Sequence, residues 1–209
     1  LIHGDAAYYT HTLHLNYSNA CALSCGLCAF YRPLDHAEAY TFPLEEIARK
    51  AEAAGRLGVR EFHITGGLNP KLPFEYYEEM FRTLKRIVPE ATVKAFTSVE
   101  IDFFSKLYRL SVEELFRRLQ AAGMDCMPGG GAEILARRVR EVICSEKISG
   151  ERWIEVQRQR MDAVIVVDLD GTILYANPAF ERSTGRHRSD VVGTNVHRLP
   201  AAEQPPASI

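Results

Sequence analysis

Between Thr12 and Met127, short apolar runs alternate with longer amphipathic stretches, the rhythm of strand–helix units laid into a parallel sheet or barrel. A first strand is predicted at about Thr12 to Asn16. Pro43 opens a helix whose Leu44, Ile47, Ala48, Ala51 and Ala54 share one face, with Gly55 and Gly58 flanking its end. Phe62 and Ile64 alternate with polar neighbours as a second strand that stops at Gly66 and Gly67. Tyr77, Met80, Phe81, Leu84 and Ile87 recur at helical spacing over Phe74 to Val88, and Pro89 ends that helix. A third strand follows at about Thr92 to Phe96. Ser111 and Glu114 read as a capping box opening a helix with Leu115, Leu119 and Ala122, which Gly123 stops. A fourth strand, Met124 to Met127, runs into Pro128 and the run Gly129, Gly130, Gly131.

The rhythm breaks near Trp153. Glu155 to Arg160 is charged and helix-like, and Ala163 to Asp168 is a β-branched run too continuous for a surface strand. Asp170 and Gly171 predict a hairpin turn into Thr172 to Ala176. The small, polar residues 201–209 are expected to fray. The expected organisation is therefore 1–156, 157–200 and a tail at 201–209.

Composition narrows the partners. The 209 residues are 46% hydrophobic, enough for a true core, and the formal charge is only −2. That balance gives no electrostatic argument for nucleic acid or an anionic membrane. No apolar stretch approaches a bilayer span, and Leu1 to Gly4 does not read as a signal peptide, so a reducing cytoplasm is the expected compartment. A start on Leu1 rather than Met suggests missing upstream sequence.

Against this background Cys21, Cys25 and Cys28 stand out: three thiols in a CxxxCxxC loop just after the first strand. A four-iron cube normally takes four cysteines, so three in a compact loop leave one iron open to a small molecule. A zinc site completed by His11 or His14 is the competing reading, although structural zinc usually pairs a CxxC with a second distant pair. Disulfides fit poorly, since Cys126 and Cys144 bring the total to an odd five. Those two lack cluster spacing and read as buried or incidental thiols.

Other chemically suggestive residues also follow strands, the face on which barrels carry their sites. Gly66 and Gly67 suit either close backbone approach to a ligand or an ordinary turn. Gly129, Gly130 and Gly131 are ambiguous in the same way, and Glu133 behind them suits a ribose hydroxyl or an amine. Glu100 reads equally as a nucleoside contact or a solvated helix start. Arg32 suits a substrate carboxylate or its neighbour Asp35, and His14 and His63 fall on strands near the mouth. No catalytic residue is assigned.

Several segments then carry a family resemblance: 13–19 (LHLNYSN), 28–32 (CAFYR), 63–68 (HITGGL), 94–101 (KAFTSVEI) and 128–134 (PGGGAEI). With the cysteine loop, positions 1 to about 156 resemble the radical S-adenosylmethionine (SAM) enzymes, in particular the aminofutalosine synthases of menaquinone biosynthesis. Residues 161 to about 200, with Asn177-Pro178-Ala179-Phe180, Thr184-Gly185 and Val191-Val192-Gly193, resemble the front of a PAS sensor domain. The implied fold is α/β: a partial radical SAM (β/α) barrel with parallel strands, followed by an incomplete α+β PAS-like segment.

The resemblance implies that Cys21, Cys25 and Cys28 hold a [4Fe–4S] cluster and that Gly66, Gly67, Glu100, Gly129, Gly130 and Glu133 contact SAM, which is consumed as a co-substrate. It implies a 5′-deoxyadenosyl radical adding to 3-[(1-carboxyvinyl)oxy]benzoate with decarboxylation to aminofutalosine, and an electron donor such as flavodoxin or ferredoxin. One departure is Leu27, where the family usually has an aromatic, so adenine packing there is expected to be aliphatic. The alternatives are a PAS-type sensory module with a remnant barrel and a zinc-stabilised structural protein. A partial barrel also predicts low stability and little turnover.

Overall fold

The computed structural model describes residue 7, residues 9–160 and residues 163–199. Leu1 to Gly4 and the tail at 201–209 lie outside the described residues. The chain divides into two compact units after Val156.

The first unit contains β1 (Thr12–Leu15), α1 (Leu44–Arg56), β2 (Glu61–Ile64), α2 (Phe74–Ile87), β3 (Thr92–Ala95), α3 (Ser98–Tyr108), α4 (Val112–Ala121), α5 (Arg137–Ile143) and most of α6 (Gly150–Arg158). The strands form a parallel sheet in the order β1-β2-β3, with Leu15, Ile64 and Ala95 in register. Period-two alternation gives the sheet two unlike faces. Leu15, Phe62, Ile64, Val93 and Ala95 are buried on one. On the other, His14, His63 and Lys94 stand in one row. The two imidazoles stack with centroids 4.8 Å apart, and Lys94 Nζ reaches Glu61 at 2.7 Å. Burial, with nearby Lys94, holds His63 below the usual imidazole range.

The predicted helices bury the expected stripes: Ile47, Ala51 and Ala54 in α1, and Tyr77, Met80, Phe81 and Leu84 in α2. Gly55 and Gly58 flank the end of α1, Gly55 inside its last turn. A Cβ there would meet Val88 Cγ2 at 3.0 Å, so it serves close packing beside the end of α2. Gly58, just past that end, adopts φ +77°.

Two expectations change. The predicted fourth strand is reduced to a single parallel bridge, Lys94 to Cys126. Asp125 explains this: its carboxylate takes the Val93 N–H at 2.7 Å and pairs with Lys85 at 2.6 Å, so a side chain occupies a position in the ladder. The capping box predicted at Ser111 is half formed, because Ser111 Oγ accepts the Glu114 N–H at 3.1 Å while the Glu114 carboxylate turns to Arg117. The complete box lies at the unpredicted α3. There Thr97 Oγ1 accepts from Glu100 N and Glu100 Oε2 accepts from Thr97 N at 2.8 Å.

The second unit contains β4 (Ile165–Val167), β5 (Ile173–Ala176), α7 (Pro178–Thr184), α8 (Arg188–Val191) and a 3₁₀ turn at Val196–Arg198. β4 and β5 form an antiparallel hairpin with a register shift at Val166/Val167. Its turn uses Gly171 at φ +82°, while Asp168 Oδ1 accepts from Asp170 N and Thr172 N. Asn177 caps α7 by accepting from Phe180 N at 2.9 Å. The expectation that 163–168 is too apolar for a surface strand does not hold. Val166 and Val167 are 47% and 41% exposed, because a two-stranded sheet leaves part of each strand uncovered.

Candidate functional site

Backbone pairing carries the register of β1 and β2 beyond the strands and fixes the base of the cysteine loop. Gly67 N donates to Ser18 O at 2.7 Å, Ala22 N to Leu68 O at 2.9 Å, Cys21 N to Arg32 O at 2.9 Å and Arg32 N to Asn19 O at 2.8 Å. Asn19 adds its side chain, donating to Glu38 O and accepting from Tyr40 N at 2.7 Å. Within the loop Cys28 N closes a turn onto Cys25 O at 2.9 Å. The N–H groups of Leu23 and Leu68 both point at Cys21 Sγ, 3.4 Å away, which fixes that sulfur at the mouth of the loop.

The three cysteines line one cavity of about 200 Å³ with Tyr31, Gly66, Gly67, Thr97, Glu100, Gly131, Glu133 and Lys147. Burial pushes the Cys25 thiol up, and the Lys147 ammonium opposes that shift. Among the described residues no three His, Cys, Asp or Glu side chains converge on a single-ion position. Three cysteine thiols on one cavity are a donor set that fits an iron–sulfur cluster, whose irons are ordinarily held by cysteine sulfur. His14, one of the two proposed zinc partners, lines a different surface depression.

Glu100 is not a solvated helix start. Only 3% exposed, its carboxylate accepts from Gly66 N at 3.0 Å, Thr97 N at 2.8 Å and Tyr17 Oη at 3.4 Å. Burial outweighs these donors and raises its pKa to about 7. Behind it pack the buried rings of Tyr17, Tyr77, Phe96 and Phe104. Phe96 holds φ +62°, unusual for a bulky residue. Its N–H donates to Ile64 O at 2.8 Å, which locks the step from β3 to the Thr97 cap and thereby aims Glu100.

The glycines divide. At Gly67 a Cβ would fall 2.3 Å from Ala20 O, and at Gly66 2.6 Å from the Tyr17 ring. Glycine is therefore required there by the chain's own packing, while both residues still line the cavity. Gly131, at φ +83°, also lines it. Gly129 and Gly130 are not among the lining residues, and Gly130 O accepts from Trp153 Nε1 at 3.1 Å. Glu133 reaches the cavity, where its carboxylate pairs with Lys147 Nζ at 2.6 Å.

Arg32 pairs with Glu38 at 2.8 Å rather than with Asp35, whose carboxylate goes to Lys71 at 2.9 Å. Leu27 is 46% exposed and lies outside the lining; the aromatics that line the cavity are Phe30 and Tyr31. Lys147 and Thr97 were missed by sequence reasoning. Thr97 had a detectable signal, the T-x-x-E box, whereas a lone Lys 119 positions beyond Cys28 had none. None of the cysteines is in a disulfide; Cys144 is buried and Cys126 half-buried.

Residues 15–166 match the Radical SAM superfamily, which is well over half of the chain. The chain belongs to that superfamily. Residues 151–205 match the PAS fold. The chain is 38% identical over 175 residues to the aminodeoxyfutalosine synthase of Thermus thermophilus, covering 84% of this chain and 46% of that protein. It is 39% identical over 158 residues to the 5-amino-6-(D-ribitylamino)uracil–L-tyrosine 4-hydroxyphenyl transferase of Microcystis aeruginosa, covering 73% and 42%. Against the cyclic dehypoxanthine futalosine synthase of Streptomyces coelicolor the identity is 36% over 151 residues, covering 72% and 38%. The chain thus spans less than half the length of these curated relatives. Among solved structures, HydG, a maturase of the [FeFe]-hydrogenase, aligns with a TM-score of 0.53 at 16% identity, covering 71% of this chain and 31% of that one. Methylornithine synthase (PylB) aligns at 0.50 and 13%, covering 71% and 40%. These two likenesses establish a shared fold, that of a partial radical SAM barrel.

Proposed function

We propose that this chain carries the cluster- and SAM-binding half of a radical SAM enzyme of the aminofutalosine synthase type. The observation that carries the reading is the common cavity: Cys21, Cys25 and Cys28 face it together with a buried carboxyl at Glu100. A [4Fe–4S] cluster held by Cys21, Cys25 and Cys28 would supply the one-electron reduction that radical SAM chemistry needs. The residues' task is to hold and exclude. Cys21, Cys25 and Cys28 supply the thiolates, Gly66 and Gly67 let the neighbouring strand end close against the loop, and Phe30 and Tyr31 offer aromatic surface to an adenine. Glu100 is suited to the hydroxyls or ammonium of a nucleoside amino acid, since a hydrogen-bonded cation would favour its charged form. Glu133 has the same chemistry nearer Lys147. Gly129 and Gly130 act on the cofactor through the backbone of the loop that delivers Gly131 and Glu133.

Within this reading the substrate is the enol ether 3-[(1-carboxyvinyl)oxy]benzoate, and the electron donor a flavodoxin or ferredoxin in the cytoplasm. Segment 95–101, which resembles the aminofutalosine synthases more than their sisters, builds the Phe96 turn, the Thr97 cap and Glu100. Among the described residues no helix is long and apolar enough to cross a membrane. The sensory-module alternative draws on the PAS match, but residues 163–199 form a two-stranded sheet over a small core.

Anaerobic reconstitution tests the proposal. About four iron per chain is expected for a cube, falling close to zero when all three cysteines are changed to alanine. Equal iron content in the two proteins overturns it. SAM-dependent release of 5′-deoxyadenosine with an added reductant tests the chemistry, and aminofutalosine formation tests the branch.

A further inference from the structure

Arg140 lies in the short helix α5, is 5% exposed, and spends its guanidinium mainly on backbone carbonyls, with the Glu133 carboxylate 3.9 Å from one terminal nitrogen. Nε donates to Ile148 O at 2.8 Å, one terminal nitrogen to Ala132 O and to Ile134 O at 3.1 Å, and the other to Gly131 O at 3.4 Å. Four carbonyls from two separate stretches are thereby gathered onto one planar fork, a geometry that a lysine ammonium cannot reproduce. The stretch 131–134 contains two residues with positive φ, Gly131 at +83° and Glu133 at +47°. At Glu133, which unlike Gly131 carries a Cβ, such backbone persists only where its surroundings over-determine it.

Both ends of this gathered segment reach the cysteine cavity. Glu133 and Lys147 meet there at 2.6 Å. The adjacent Glu146 grips the cysteine loop itself: its carboxylate accepts from the backbone N–H of Ser24 and from Ser24 Oγ at 3.0 Å. Ser24 immediately precedes Cys25. A charged acceptor on a loop amide is among the stronger hydrogen bonds available at a surface.

We infer that Arg140 is a positioning residue for the cluster loop, acting through the segment it gathers: it fixes 131–134 against Ile148, and Glu146 transmits that order to Ser24 and Cys25. The inference rests on the proposed cluster site for its purpose, but the mechanical coupling is a property of the chain alone. Arg140 touches neither the thiols nor any reacting atom.

Hydrogen exchange by mass spectrometry on the full, metal-free chain tests this directly. In Arg140→Met, peptides covering 131–135 and 21–28 are expected to exchange at least ten-fold faster, while β2 at 61–64 keeps its wild-type rate. Arg140→Lys should fall between, and Glu146→Gln should loosen 21–28 alone. A purely structural role would speed exchange everywhere or only in 131–148, and either pattern overturns the inference. A second measurement follows iron loss from reconstituted protein to a chelator, expected to be about ten-fold faster in Arg140→Met and no faster again in the double variant with Glu146→Gln. If the wild type takes up no iron, the cluster assignment fails. If it loads normally and 21–28 is unchanged in Arg140→Met, this inference fails alone.

Discussion

The two units of this chain bury their apolar residues on very different scales. In the first, both helix stripes and one face of a parallel sheet close over a continuous core centred on Tyr17, Tyr77, Phe81, Phe96 and Phe104. In the second, Ile173, Ala176, Phe180 and Val191 are the buried apolar cluster, and Leu174 on the hairpin is 57% exposed. Folding entropy is roughly proportional to length, whereas burial rises with the thickness of the core. The first unit can therefore hold a strained residue and a buried carboxyl beside its cavity. The second has little stability with which to hold either.

Core truncation gives the largest expected effect on this contrast. Phe104→Ala should destabilise the first unit by about 3–5 kcal/mol, the usual range for a fully buried Phe, while Phe180→Ala should leave the higher-temperature unfolding transition in place. Calorimetry checks both, and a single transition shifted equally by the two variants would break the contrast. A smaller effect concerns Glu100. Its carboxyl is raised from 4.5 to about 7 by burial, so the folded state binds the proton more tightly than the unfolded chain. The resulting stabilisation is fully present below about pH 4.5 and is lost as the pH rises through about 7, on the order of 3 kcal/mol in all. Glu100→Gln should flatten the slope of melting temperature against pH between 5 and 8; an unchanged slope would show that the carboxyl is not buried as described. The smallest effect is expected at Leu174→Thr, within about 0.5 kcal/mol because the side chain is largely in water. Thermal melts suffice to check it, and a clear loss would mean that this face is covered.

Much of the first unit could be read from periodicity. α1 and α2 follow their stripes, and β1, β2 and β3 fall within a residue of the alternating segments, because both packing layers are built from local repeats. What escaped was set by single side chains acting over distance. Asp125 displaced a strand, and α3 went unread although Thr97 and Glu100 spelled its start. The cysteines were legible because their spacing is itself the chemistry. Lys147 and Arg140 were not, since their partners are a carboxylate and carbonyls that only the fold brings near.

The pairing of 18–22 with 67–68 has a consequence for fidelity of folding. Because the cysteine loop is an outgrowth of the β1/β2 ladder, it inherits whatever alignment those two strands adopt. A slip of one residue would turn His14 toward the apolar layer and carry Cys21 about 3.3 Å from its place beside Leu68. The greasy side of the sheet thus proofreads the position of the sulfurs, and a misaligned chain is penalised before any iron arrives.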